Sequence, residues 1–261
     1  MQFIVQGYPA YAYTGSRDFD PSLPTVVFVH GAAFDHSVWQ WQSRYFAHHG
    51  FNALAVDLPG HGRSPGAIRT TIEAWADWLI GLLDAGGAER ASLVGHSMGS
   101  LITLEAALRF PKRVEKLVLV GAASPMPVGQ AFMNAARDEP PVALDMEAVW
   151  GHSRNSQLAQ SAIPGMTLLG ASRSLNGRSR AGALHADLVA CNAYRASTDA
   201  LRAMTTPTLV LAGKRDQMTL AKAGRALAAE IPGARLVMLD AGHSMMSEAP
   251  RETLKALRDF L

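Results

Sequence analysis

Apolar residues fall along this chain in two rhythms. Short runs rich in Val, Leu, Ala and Phe, at 25–30, 51–56, 92–94, 114–120, 208–211 and 235–239, alternate with longer stretches in which apolar positions recur every three or four residues. A run such as Thr25-Val26-Val27-Phe28-Val29 is apolar without alternation, which predicts a strand buried on both faces of a sheet. Near the start, 3–6 and 11–14 read as short strands joined by a Gly-Tyr-Pro turn. The periodic stretches predict helices at 37–49, ended by Gly50, at 70–84, closed by Gly86-Gly87, and at 97–110, stopped before Pro111. Two further helices are expected at 219–230 and 250–261. Strands alternating with helices in this way predict an α/β fold, a mostly parallel sheet with helices on both faces.

The rhythm breaks between 122 and 205. This stretch carries Pro, Gly, Ser, Asn and several Met, with helical patterning at 129–137, 145–152 and 181–195 and no convincing strand. The expected organisation is a core formed by residues 1–121 and 206–261, with 122–205 inserted between two strands as a helical cap. The cap would lie over the carboxyl edge of the sheet, where open α/β sheets place their ligands.

Composition narrows the function classes. The chain has 261 residues, 48 % hydrophobic and 18 % charged, enough to bury a large core. The net charge of +2 comes from near balance, and the densest basic stretch, 173–180, is interrupted by Ser and Gly, so no nucleic-acid partner is expected. No apolar run approaches the roughly 20 residues that cross a bilayer, and the N-terminus does not read as a signal peptide. With Cys191 as the only cysteine, no intrachain disulfide can form. These features lead to the expectation of a cytoplasmic protein without a membrane partner, monomeric or homodimeric. No metal-ligand cluster or phosphate loop stands out, so neither metal nor cofactor is expected.

The chemistry-bearing motif is Gly95-His96-Ser97-Met98-Gly99. It follows the apolar run at 92–94 and opens the helix at 97–110, the strand–turn–helix context that makes Gly-x-Ser-x-Gly specific. A sharp turn there would put Ser97 in a strained backbone conformation above the sheet, with no room for side chains at Gly95 and Gly99. It would also set the hydroxyl at a helix N-terminus, which favours developing negative charge. A serine nucleophile needs a general base held by a third group, and in such a site both follow the serine in the chain. His243, in Asp240-Ala241-Gly242-His243-Ser244 after the last strand, is the expected base. Asp216, in the loop after the strand at 208–211, is the expected acid, with Asp240 and then Asp199 as rivals. Upstream, His30-Gly31-Ala32-Ala33-Phe34 follows a strand and offers a backbone N–H for an oxyanion, from Ala32 first and Ala33 second. The partner donor is the N–H of Met98, the residue after the nucleophile.

Together with Asp35, Trp39 and Asp57-Leu58-Pro59-Gly60-His61-Gly62-Arg63-Ser64, these stretches resemble the α/β-hydrolase superfamily along nearly the whole chain. The likeness is to its esterase, enol-lactonase and cofactor-free haloperoxidase branches. The resemblance implies an eight-stranded sheet whose second strand runs antiparallel, and it makes Asp57–Ser64 a structural turn, with Arg63 pairing locally. Serine at the elbow argues against epoxide-hydrolase and dehalogenase chemistry, which use aspartate there. For the pocket, Phe34, Met126, Trp150, Met218 and Met245 are the chosen apolar candidates, with Phe132, Met133 and Met166 also available in the cap. No acid or arginine stands beside the Ser97, Asp216 and His243 set in the sequence in a way that demands a charged substrate. The expectation is therefore a small to medium, mostly apolar ester, cleaved through an acyl-enzyme. A lactonase or C–C bond hydrolase with the same residues is the alternative, and a non-catalytic small-ligand receptor is a third.

Overall fold

A computed structural model describes residues 1–158, 164–165 and 167–261. Eight strands form one sheet: β1 (Gln2–Val5), β2 (Tyr8–Tyr13), β3 (Thr25–Val29), β4 (Asn52–Val56), β5 (Ala91–His96), β6 (Val114–Val120), β7 (Thr208–Gly213) and β8 (Arg235–Leu239). Their spatial order is β1-β2-β4-β3-β5-β6-β7-β8. β2 pairs antiparallel with both neighbours, and the rest pair parallel. The continuous apolar runs are explained by burial: every residue of β3, β4, β5 and β7 is inaccessible. The side-chain period of two then divides each strand between two cores. Val27, Val29, Leu54 and Val56 face one cluster, and Val26, Phe28, Ala53 and Ala55 face the other.

The helices α1 (Gln40–Ala47), α2 (Ile72–Ala85) and α3 (Met98–Arg109) connect the first strands. A 3-10 turn at His36–Trp39 takes the first part of the helix expected at 37–49. α2 begins where Thr71 caps it, accepting from the Ala74 N–H at 3.2 Å. Between β6 and β7 the chain folds into α4 (Gln130–Asp138), α5 (Pro140–Trp150), α6 (Arg154–Gln157), α7 (Leu168–Asn176), α8 (Ala183–Ala193) and α9 (Thr198–Arg202). Among the described residues this insert contains no strand. α5 starts five residues before the expected 145, with a proline in its first turn, where the missing N–H costs nothing. α6, α7 and α9 have no clear periodic signal, and tertiary partners hold α7: Arg173 pairs with Asp145, and Asn176 Nδ2 donates to the Leu144 carbonyl at 3.0 Å. Phe132, Ala143, Leu184, Leu188 and Cys191 of the insert are continuous with the apolar cluster beneath α2 and α3. The chain closes with α10 (Ala221–Glu230), α11 (Met245–Glu248) and α12 (Pro250–Arg258). No helix among the described residues is long and apolar enough to cross a membrane.

Candidate active site

The order β4-β3-β5 marks where the chain reverses its direction across the sheet. At such a switch point the loops leaving adjacent strands diverge and open a crevice at their carboxyl ends. The loop after β3 carries His30-Gly31-Ala32-Ala33, and the turn after β5 carries Ser97. Ser97 has φ 52° and ψ −119°, a conformation a side chain rarely adopts. The neighbours show why glycine brackets it. A Cβ at Gly95 would collide with the Gly99 backbone, and one at Gly99 would collide with the Val29 and His30 carbonyls. The turn is pinned on both sides, with the Ser97 N–H donating to Val120 O at 2.9 Å and the Ser100 N–H to Ser97 O at 2.8 Å.

Asp216 follows β7 and His243 follows β8, and the two meet. His243 Nδ1–H donates to Asp216 Oδ2 at 2.8 Å, with both groups buried. Asp216 Oδ1 accepts the Met218 and Thr219 N–H groups at 2.8 Å each, and Thr219 Oγ1 donates to Oδ2 at 2.7 Å. Burial pushes the Asp216 carboxyl up, but the His243 ring and these hydrogen bonds outweigh it and hold the group below the usual carboxylate range. His243 Nε2 is buried without a hydrogen-bond partner among the described residues. The rivals lie elsewhere: Asp240 forms an exposed ion pair with Arg215 at 2.9 Å, and Asp199 sits in the first turn of α9.

His96 and Thr219 were not candidates in the sequence. His96 Nε2 donates to the His243 carbonyl at 3.0 Å, so the residue before Ser97 fixes the loop that carries His243. Burial lowers the His96 pKa to about 3, which keeps the ring neutral. Thr219 had a readable signal, an Asp-x-x-Thr spacing ahead of a helix.

The loop after β3 is more constrained than its sequence suggests. His30 Nδ1–H donates to Gly31 O at 2.8 Å and Nε2 accepts from the Leu58 N–H at 3.1 Å, a pairing that only the neutral ring can make. Burial, with nearby His61, lowers its pKa to about 4. Ala32 borders the same cavity as Ser97, and Met98 is buried at the first position of α3. Ala33 is different: its N–H donates to Asp187 Oδ2 of α8 at 2.9 Å, so it is committed and is not an open donor. The same Asp187 oxygen accepts His61 Nε2–H at 2.9 Å, while His61 Nδ1–H donates to Pro59 O at 3.2 Å. Both ring nitrogens face acceptors, which requires the imidazolium. Burial opposes that charge, and Asp187 overcomes it, raising the His61 pKa. Asp57 closes the turn by accepting from the His36 and Arg63 N–H groups at 2.7 and 2.8 Å, while the Arg63 guanidinium lies over the Tyr11 ring.

A cavity of about 200 Å³ opens beside Ser97, and Ala32, Met126, Trp150 and Met218 line it. Phe34 and Met245 require correction. Phe34 turns away to line a separate cavity of about 360 Å³ with His152, Arg178 and Ser244. Met245 is fully buried in the second apolar cluster, because α11 directs it under the sheet edge. Phe132 lines the Ser97 cavity and Met133 packs against the core, while Met166 lies outside the described residues. A further correction concerns charge: Glu147 of α5 lines this cavity, although the sequence placed no acid near Ser97. Asp35, His36 and Asp57 lie close enough to share a metal ion. Their carboxylate oxygens already accept from Ser37, Arg178, His36 and Arg63, the pattern of a tied loop.

An elbow serine and a constrained loop at the switch point, with a buried Asp–His pair in the loops after β7 and β8, make a hydrolase-type site. The profile of the alpha/beta hydrolase family matches residues 26–256, and the chain belongs to that family. A pimeloyl-[acyl-carrier protein] methyl ester esterase from Aromatoleum aromaticum is 29 % identical over 91 % of this chain and 98 % of its own. A 2-hydroxymuconate semialdehyde hydrolase from Pseudomonas putida is 29 % identical over 98 % of this chain and 88 % of its own. Among solved structures, the enol-lactonase from Burkholderia xenovorans superposes with a TM-score of 0.86 at 26 % identity, covering 100 % of this chain and 99 % of that one. Family and relatives make the protein a hydrolase.

Proposed function

We propose that the protein is a serine hydrolase that cleaves a small carboxylic ester through an acyl-enzyme. The observation that carries this reading is the Asp216–His243 pair, whose Nε2 is left unpartnered at the sheet edge that presents Ser97. In this mechanism Ser97 Oγ attacks the ester carbonyl as its proton passes to His243 Nε2. The Ala32 and Met98 N–H groups receive the oxyanion, each worth about 3–4 kcal/mol. The imidazolium, stabilised by Asp216, returns the proton to the departing alkoxide and releases the alcohol. Water then gives a proton to His243 as its oxygen attacks the acyl carbon, and the proton returns to Ser97 Oγ as the acid leaves.

A methyl ester esterase aligned over nearly its full length supports the ester substrate, and lactone opening is the same chemistry on a ring. C–C cleavage is less favoured. The substrate named for the Pseudomonas putida relative is a carboxylate, and no Lys or Arg among the described residues lines the Ser97 cavity. Action on a small molecule in the cytoplasm, as a monomer or homodimer, belongs to the same reading. The test is hydrolysis of short-chain p-nitrophenyl esters together with labelling by a phosphonate. Turnover that vanishes in Ser97→Ala, with label on Ser97 alone, is the expected result. A folded wild type that neither turns over esters nor takes the label refutes the proposal and favours a receptor.

A further inference from the structure

Glu147 is the one carboxyl group among the described residues that line the Ser97 cavity. It stands on the buried face of α5, between Ala143 and Ala148, where an apolar side chain would pack. It is 4 % exposed, and its Oε2 has no hydrogen-bond partner among the described residues. Trp150, three residues on and therefore on the same side of the helix, lines the same cavity with Phe132. No lysine or arginine among the described lining residues offsets the acid. A buried carboxyl without a cation takes up a proton rather than remain charged. Burial first, and then the charge of Asp187, hold Glu147 well above the usual carboxylate range. What faces the cavity is therefore a carboxyl group that favours its neutral form, with one donor and one acceptor, and its Oε2 meets no partner among the described residues.

An unmet polar group in an apolar pocket weakens the folded protein, and it has a use when a ligand satisfies it. We propose that Glu147 is the specificity-determining group of the cavity, its carboxyl hydrogen-bonding an oxygen substituent, hydroxyl or keto, on the arm of the ester that fills the space beside Ser97. This rests on the ester-hydrolase reading and replaces its mostly apolar substrate with an oxygenated one. A cavity of about 200 Å³ suits a small arm of the ester. The oxygen would thus lie a few bonds from the scissile carbonyl. A site that hydrogen-bonds its substrate discriminates strongly against the analogue lacking the group, because the protein's own polar atoms are then stranded.

The experiment compares kcat/KM for methyl hexanoate with its hydroxy and keto derivatives substituted along the chain, for hexyl acetate with the monoacetate of hexanediol, and for an ammonium-bearing hexanoate. Wild type should prefer an oxygenated ester on one of the two arms by about 10- to 100-fold. Glu147→Gln keeps a donor and an acceptor and should retain most of that preference. Glu147→Leu should bring the ratio of oxygenated to plain ester to one or below, whatever its absolute kcat/KM. A melting temperature of Glu147→Leu equal to or above wild type is also expected, since the variant removes an unpaired group; a steep fall would show a structural role and overturn the proposal. Equal ratios in wild type and Glu147→Leu would overturn it as well, as would a preference for the ammonium ester that Glu147→Gln abolishes. Should Glu147→Leu fail to fold, Glu147→Met serves for the same comparison. Hydrolysis of the plain esters and phosphonate labelling of Ser97 report separately on the hydrolase reading, so the two can fail independently.

Discussion

Asp187 is the residue whose replacement tests most directly how the insert supports the site. One carboxylate oxygen accepts both the Ala33 N–H and the His61 imidazolium at 2.9 Å, and the side chain is wholly buried. Ala33 has φ 56°, a left-handed conformation that a non-glycine residue holds only when its surroundings fix it. Asp187→Ala leaves the Ala33 N–H and a buried imidazolium unpaired. Breaking such a pair from one side costs about 3–5 kcal/mol, a large share of the roughly 5–15 kcal/mol of a typical domain. If the freed loop withdraws the adjacent Ala32 N–H from the oxyanion position, kcat should fall roughly 10²-fold or more, the cost of losing one donor, with little change in KM. Asp187→Asn keeps an acceptor for Ala33 and removes the charge, so its kcat should fall about 10-fold or less.

Denaturant unfolding across pH separates the electrostatic part. His61 has a raised pKa when folded, so its pairing stabilises fully below the unfolded value of about 6.5 and is lost as pH rises through the folded value. Wild type should therefore lose stability above pH 6.5, and Asp187→Asn should lack that decline. A folded Asp187→Ala whose kcat stays within twofold of wild type, or an Asp187→Asn with the wild-type pH slope, would refute the argument.

Three other outcomes follow from the structure. Asp216→Asn should lower kcat by roughly 10⁴-fold, because the amide cannot hold the His243 tautomer. Asp240→Ala, which removes only an exposed ion pair with Arg215, should leave ester turnover intact and cost at most about 1 kcal/mol in thermal unfolding. His30 and His96 are buried as neutral rings with pKa values of about 4 and about 3, against 6.5 for the free side chain. Depressed values mean that the unfolded chain binds protons the folded one refuses, so stability should fall as pH drops from about 6.5 towards 3. His96→Gln should flatten that fall in acid titrations followed by circular dichroism, and an unchanged slope would contradict the assignment.

The core was readable because its signals are local. Both-face burial of β3, β4, β5 and β7 writes itself as unbroken apolar runs, and the elbow needs glycine wherever backbone crosses backbone. Asp216 and His243 could be named because each stands in the loop after an apolar run, in the chain order that a Gly-x-Ser-x-Gly turn calls for. Phe34 and Met245 were misplaced for the opposite reason. Adjacency in sequence to a site residue says nothing about direction, and a helical turn at α11 is enough to send Met245 into the core.

Glu147 and Asp187 show a different limit. Each is an acid in the apolar register of its helix: Asp187 lies among Ala183, Leu184, Leu188 and Cys191 on the buried face of α8, as Glu147 does among the alanines of α5. For Asp187 the register was present in the expected helix at 181–195, and an acid out of step with it is a signal of burial. For Glu147 it was hidden, because the helix was expected to begin at 145, after the Ala143 that reveals the face. The partners of Asp187 are far along the chain, 154 and 126 positions away, and no spacing rule reaches that distance. Burying an acid is costly unless something answers it. Asp187 is answered by the loop beside Ser97, and Glu147 is left for whatever enters the cavity. The insert thus contributes two buried acids, one bound to the loop that carries Ala32 and one proposed to read the substrate, and replacing them should separate kcat from selectivity.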